Sequence, residues 1–123
     1  MYKLYQLFSK GEKSKAPVTN PKEAYQESKK GNAILVDVRE QNEIQEGMAE
    51  DARWMPTSEI QADGPQWKKF VSELPRDKRI VIYCAAGVRA GRVAAKLETM
   101  GYQTANIGGY KDWVQAGLPT QKP

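Results

Sequence analysis

The chain has 123 residues, 40% of them hydrophobic and 28% charged, a composition typical of one soluble globular domain and far from that of disordered chains. It contains one cysteine and no histidine. This excludes an internal disulfide, a Cys-x-x-Cys redox pair, catalytic dyads that need an imidazole, and metal sites built from histidine or several cysteines. The residues therefore predict neither a bound metal nor a cofactor, and any nucleophile must work without a histidine base.

The formal net charge of +4 is concentrated at the N-terminus. Residues 1–16 contain four lysines and one glutamate, a charge of +3, so residues 17–123 are close to neutral. Because no basic face is apparent, we do not expect nucleic-acid binding. Residues 9–15 are rich in Lys, Gly and Ser, so we predict an N-terminal extension and linker over 1–16 and one folded domain over 17–123.

The longest apolar run, residues 80–86, is far too short to span a membrane and suits a buried strand. The first ten residues lack the continuous apolar segment and the cleavage site of a signal peptide. We therefore predict a cytoplasmic protein that does not associate with membranes.

The first half of the domain contains signals for a helix followed closely by a strand. Asn20, Pro21 and Glu23 supply an N-cap residue, a first-turn proline and a glutamate at N3, and Gly31 is the expected stop after Lys30. The other elements predicted here are a candidate short strand at 17–19, a buried strand at 33–38, a short polar helix at 41–46, a weak strand at 52–55 and a helical turn at 57–60.

The second half repeats the alternation with stronger signals. Its predicted elements are a helix at 66–74, a strand at 79–83, a helix at 90–100, a strand at 103–107, a turn at Gly108 and Gly109, and a helix at 110–116. Continuous apolar strands that alternate with helices predict an α/β fold, in which a parallel sheet is covered by helices on both faces.

Cys84 follows the clearest strand and precedes the clearest helix, the position where α/β sheets bind ligands. The loop that it opens continues with Ala85, Ala86, Gly87, Val88 and Arg89. Successive backbone N–H groups in such a turn can surround one anionic atom, and the following helix adds positive potential. We therefore predict that Cys84 is a catalytic thiolate that needs no base, and that residues 85–88 and Arg89 bind its substrate. A lone cysteine buried in a core and an ordinary surface arginine are the simpler interpretations of these two residues.

The chemistry that suits such a thiolate is attack on sulfur. Peptide or ester hydrolysis normally needs a proton for the leaving group, and this segment contains no obvious acid. Thiolates displace sulfur leaving groups directly, and the anionic persulfide that results can be held by the same N–H groups. The loop therefore favours transfer of a sulfane sulfur.

Four stretches carry a resemblance to a known family: Leu-Val-Asp-Val-Arg-Glu at 35–40, Cys-Ala-Ala-Gly-Val-Arg at 84–89, Gly-Gly-Tyr-Lys-Asp-Trp at 108–113 and Ala-Gly-Leu-Pro at 116–119. In this order and spacing they resemble the single-domain rhodaneses, which are thiosulfate or persulfide sulfurtransferases, over roughly residues 17–120. The resemblance implies a five-stranded parallel sheet and a persulfide on Cys84. It also implies a small sulfur-containing anion such as thiosulfate as donor, and cyanide, a thiol or a protein thiol as acceptor.

One stretch departs from the family pattern. Where many members have Gly-His-Ile-Pro-Gly-Ala, residues 47–52 are Gly-Met-Ala-Glu-Asp-Ala. The reactive loop itself is intact, so the departure concerns the conformation of this segment and the rim of the pocket.

Asp37 and Arg39 end the buried strand on the side of the same crevice. An internal ion pair that ties the strand to the following loop explains them at least as well as a substrate role. We favour the structural role for Asp37 and leave that of Arg39 open. Trp67 and Trp113 are interpreted as core aromatics.

Two other functions are compatible with a cysteine and an arginine in such a loop. Phosphatases of the Cdc25 or arsenate-reductase kind place five residues between the cysteine and the arginine, usually with histidine before the cysteine, to hold a tetrahedral oxyanion. Here four residues intervene and Tyr83 precedes, which suits a single sulfur atom better. A non-catalytic binding or regulatory module is the other alternative, and the presence of both Cys84 and Arg89 argues against it.

Overall fold

The computed structural model describes Val18 and residues 20–123. The predicted N-terminal extension, together with Pro17 and Thr19 of the candidate first strand, lies outside the described residues, and Val18 is buried without belonging to a strand. The described helices are α1 (Pro21–Lys29), α2 (Gln41–Ile44), α3 (Thr57–Gln61), α4 (Pro65–Glu73), α5 (Val88–Thr99) and α6 (Tyr110–Gln115). The described strands are β1 (Ala33–Asp37), β2 (Met48–Ala49), β3 (Arg53–Trp54), β4 (Arg79–Cys84), β5 (Thr104–Gly109) and β6 (Thr120–Gln121).

The main sheet is parallel and has the strand order β3-β1-β4-β5. Its two central strands pair in register from Ala33 opposite Arg79 to Asp37 opposite Tyr83. The predicted α/β fold with a parallel sheet is therefore confirmed. Within the described residues the main sheet has four strands, and of the remaining predicted strand, at 17–19, only Val18 is described.

Helices cover both faces of the sheet, and each face has its own core. Since side chains alternate along a strand, Val36, Ile80 and Ile82 face α3, α4 and α5, whereas Leu35, Val81 and Tyr83 face α1 and α6. Trp67 is 2% exposed in the first core and Trp113 1% exposed in the second, which confirms that both are core residues. Burial on both faces explains why β1 and β4 are continuous apolar runs.

Segment 47–52, which departs from the family pattern, forms part of a small antiparallel pairing. Met48 and Ala49 in β2 pair with Gln121 and Thr120 in β6. Asp51 adopts the left-handed conformation, with φ of 69°, and its backbone N–H donates to the Gln121 side-chain carbonyl at 2.8 Å. The segment thus keeps the turn that a glycine would favour, and it is fastened to the C-terminal strand. β2 and β6, of two residues each, were not predicted, because neither segment carries a strand pattern of its own.

Two predicted boundaries next to the reactive loop were wrong. Gly87, with φ of 102°, is the N-cap of α5, so this helix begins at Val88 rather than residue 90. Gly108 and Gly109, predicted as a turn, instead end β5, where Gly109 pairs with Cys84. Among the described residues, no helix is both long and apolar enough to cross a lipid bilayer.

Candidate active site

Cys84 is the last residue of β4, and its side chain lies on the face covered by α5. The residue is only 1% exposed, and two backbone N–H groups point at its sulfur atom. The Gly87 N–H donates to Sγ at 3.0 Å, and the Ala90 N–H lies 3.4 Å from it. Because Ala90 belongs to the first turn of α5, the helix N-terminus adds to the positive potential at the sulfur. This arrangement stabilises a negative charge on Sγ.

The loop between Cys84 and α5 is held against β5. Asn106 donates its side-chain Nδ2 to the Gly87 carbonyl at 2.9 Å, and its Oδ1 accepts from the Gly108 N–H at 2.9 Å. A Cβ atom at Gly87 would lie 3.3 Å from the Gly108 Cα. The left-handed φ of Gly87 and this close approach both favour glycine at that position.

Gly109 allows the last strand to run directly beside the loop. Its φ of −124° is ordinary for any residue, but a Cβ atom there would overlap the Ala85 carbonyl oxygen. The absence of a side chain therefore brings the start of α6 next to Ala85.

A cleft of about 370 Å³ opens beside the loop. Ala85 forms one wall, Glu43 and Glu46 lie on the side of α2, and α6 contributes the third side. The other residues that line the cleft are Arg39, Tyr110, Lys111 and Val114. Of the loop residues predicted to bind substrate, Ala85 lines this cleft, whereas Ala86 and Val88 are exposed and are not among its lining residues.

Arg89 forms an ion pair with Glu43 rather than pointing into open solvent. Its Nη1 and Nη2 donate to Oε1 and Oε2 of Glu43 at 2.7 and 2.8 Å. The hydrogen bonds from Arg89, helped by the Glu40 backbone N–H, lower the pKa of Glu43 to about 2, and the same pairing raises the pKa of Arg89. The guanidinium charge is therefore compensated and fixed toward α2. Direct contact between Arg89 and a substrate stays a prediction.

Asp37 and Arg39 form a buried ion pair below the cleft, 0% and 1% exposed. Arg39 Nη2 donates to Asp37 Oδ2 at 2.8 Å and to the Gly47 carbonyl at 2.7 Å, and the guanidinium lies 4.3 Å from the centre of the Tyr110 ring. Burial alone would lower the pKa of Arg39, but the hydrogen bonds and charge of Asp37 outweigh it, and the net shift is upward. The geometry matches the structural interpretation, in which the pair ties the end of β1 to the segment that begins at Gly47.

Several residues of this site were not identified from sequence, among them Glu43, Asn106 and Gly109, and Lys111 of the cleft. Glu43 lies four residues after Arg39 in α2, the helix that follows β1, and β1 is the neighbour of β4 in the sheet. A carboxylate at this position can form a bidentate ion pair with Arg89. Asn106 lies two residues before Gly108, near the carboxyl end of a parallel strand, where polar residues often serve the site. The role of Gly109 depends on a close approach between distant segments, which no local pattern reveals.

Comparisons with known proteins agree with this geometry. The model of the rhodanese-like domain family matches residues 20–116. A sulfurtransferase of Allochromatium vinosum is 36% identical over 94 residues, which are 75% of this chain and 81% of that protein. The thiosulfate sulfurtransferase GlpE of Actinobacillus succinogenes is 26% identical, over 82% of this chain and 86% of its own length.

A crystal structure of a rhodanese-related protein from Thermoplasma volcanium superposes with a TM-score of 0.70 at 27% identity, and covers 86% of this chain and 98% of the other. The fold, the family match and the names of these relatives together support a sulfurtransferase.

Proposed function

Because this chain belongs to the rhodanese-like domain family, we propose that it transfers a sulfane sulfur from a donor such as thiosulfate to a thiol or cyanide, through a persulfide on Cys84. The observation that carries the proposal is the pair of N–H groups, of Gly87 and Ala90, directed at the Cys84 sulfur. They stabilise the attacking thiolate without a histidine, which this chain lacks.

In the first half-reaction, the Cys84 thiolate attacks the outer sulfur of thiosulfate. A sulfur–sulfur bond forms to Cys84, the sulfur–sulfur bond of thiosulfate breaks, and sulfite leaves with the bonding electron pair. No proton is transferred, so the step needs neither an acid nor a base. The persulfide carries one negative charge.

In the second half-reaction, an external nucleophile takes the outer sulfur and regenerates the thiolate. Cyanide gives thiocyanate, whereas a thiolate gives a persulfide of its own. Cys84 is the only cysteine in the 123 residues, so no second thiol of this chain can receive the sulfur. We therefore propose an acceptor from outside the chain.

The contacts of Arg89 weigh against the phosphatase alternative. A cysteine phosphatase uses the arginine of its loop to bind two oxygens of the substrate. In this site both terminal nitrogens of Arg89 are bound to Glu43, and the loop has four rather than five intervening residues. A single sulfur atom between two N–H groups fits the site better than a tetrahedral oxyanion.

Turnover measurements separate the alternatives. The purified chain should form thiocyanate from thiosulfate and cyanide with ping-pong kinetics, and Cys84→Ser should abolish the reaction. The same preparation should leave an aryl phosphate unchanged. Hydrolysis of the aryl phosphate without thiocyanate formation would establish the phosphatase, and the absence of both activities would establish a non-catalytic module.

A further inference from the structure

The charged side chains that line the cleft differ in how fully their charges are compensated. Arg39 is buried and paired with Asp37, Glu43 is paired with Arg89, and Glu46 contacts Arg39 with its Oε2 3.3 Å from Nη1. Lys111 lines the same cleft and is exposed. Within the described part of the chain, its ammonium group is the one cation of the cleft that forms no ion pair or hydrogen bond.

The backbone places Lys111 next to the reactive loop. Gly109 pairs with Cys84 across β4 and β5 and packs against the Ala85 carbonyl without a side chain between them. Lys111 follows two residues later, in the first turn of α6. Ala85, the residue that follows Cys84, and Lys111 line the same cleft, so an anion bound in this cleft beside the reactive loop shares it with Lys111.

We propose that Lys111, rather than Arg89, binds the oxyanion end of the sulfur donor. This inference rests on the sulfurtransferase function proposed above and names the residue that binds its donor. The donor is a small anion with its sulfane sulfur at one end and a sulfonate-type group at the other. Lys111 holds the sulfonate oxygens while the outer sulfur reaches the Cys84 thiolate.

The chemistry of the step gives Lys111 a second effect. As the sulfur–sulfur bond of thiosulfate breaks, both electrons stay with the leaving sulfite, and negative charge collects on the group next to Lys111. A positive charge there assists donor binding and cleavage of the sulfur–sulfur bond. Such a contact at an open cleft is expected to change affinity about fivefold, because water screens the charges.

Two measurements test the proposal: one follows donor binding without turnover, and the other follows the KM for the donor during turnover. In the Cys84→Ser background, where the donor cannot react, thiosulfate binding is followed by NMR titration with and without Lys111→Gln. In the Cys84 enzyme, the KM for thiosulfate is compared among Lys111→Gln, Lys111→Arg and the control Lys96→Gln. Lys96 lines a different cavity, beside α3, and carries the same charge.

We expect Lys111→Gln to weaken thiosulfate binding and to raise its KM about fivefold. Lys111→Arg should restore both, and Lys96→Gln should change neither. Unchanged binding and KM in Lys111→Gln, or equal effects of Lys111→Gln and Lys96→Gln, would overturn the role of Lys111 while the sulfurtransferase stands. Binding that depends on Lys111, in a chain whose Cys84 acquires no sulfur, would instead overturn the proposed function and leave the anion site in place.

Discussion

Arg89, in the first turn of α5, is joined to Glu43 of α2 by two parallel hydrogen bonds of 2.7 and 2.8 Å. This bidentate pair links the helix that follows the reactive loop to the helix that follows β1. Arg89, which the sequence predicts to bind the substrate, therefore also holds α5 against α2, and its contact with a substrate stays a prediction. Its partner, Glu43, also lines the cleft beside the loop.

The coupling between Arg89 and Glu43 is measurable in a double-mutant cycle. Arg89→Met and Glu43→Gln should each slow sulfur loading of Cys84 about tenfold, because each removes the same ion pair. The coupling free energy between the two residues should then be about 1.4 kcal/mol. The double variant should be about as slow as either single variant. Losses that multiply to about a hundredfold would contradict a shared role.

Glu43 should also make the stability of the fold depend on pH in the acid range. Hydrogen bonds from Arg89 lower the pKa of Glu43 from 4.5 to about 2, so the unfolded state binds its proton at higher pH than the folded state does. The stabilisation is fully present above about pH 4.5 and is lost as the pH falls toward 2. Urea unfolding should show that the free energy of unfolding of the parent protein falls as the pH is lowered between these limits. The fall should be smaller in Glu43→Gln, by about 1 kcal/mol, because the ion pair is partly exposed. Equal dependence in the two proteins would contradict the pairing.

Gly109→Ala tests the close approach of β5 to the loop. The added methyl group overlaps the Ala85 carbonyl, so the loop or the strand must move. We expect a loss of stability of about 2 kcal/mol, typical of overpacking, together with at least a tenfold loss of thiocyanate formation. Gly31→Ala is the control, because φ there is 81° but no atom lies within 4 Å of the added Cβ. It should cost about 1 kcal/mol and leave activity unchanged. Full activity in folded Gly109→Ala would contradict the packing argument.

Asp51 stands where the family pattern has its second glycine, and it has a left-handed φ of 69°. Asp51→Gly removes this backbone cost and loses an exposed ion pair with Lys29, which contributes little. Thermal unfolding should therefore show Asp51→Gly to be at least as stable as the parent protein, and Asp51→Ala to be less stable by about 1 kcal/mol. A less stable glycine variant would show that the Asp51 carboxylate, rather than the turn, determines the conformation.

The elements that sequence predicted well are those with a strong local pattern. Residues 33–38 and 79–83 correspond to β1 and β4, because strands buried on both faces are continuously apolar. Asn20 caps α1 by accepting from the Glu23 N–H at 2.9 Å, as the residues at its start indicate. The position of Cys84 at the end of β4 follows from the same pattern.

The features that sequence did not predict depend on contacts between distant segments. β2 and β6 are two residues each and exist through their mutual pairing. Gly109 ends a strand, although a pair of glycines locally favours a turn, because the chain must pass directly against Ala85. The partner of Arg89 lies 46 residues away, so its side chain could be located only from the fold.

A persulfide on Cys84 is tested most directly by the intact mass of the chain after incubation with thiosulfate and removal of excess donor. We expect a gain of about 32 Da, one sulfur atom, located on Cys84 by peptide mapping, removed by cyanide and absent in Cys84→Ser. An unchanged mass in the folded protein, or a gain that persists in Cys84→Ser, would contradict a persulfide on Cys84.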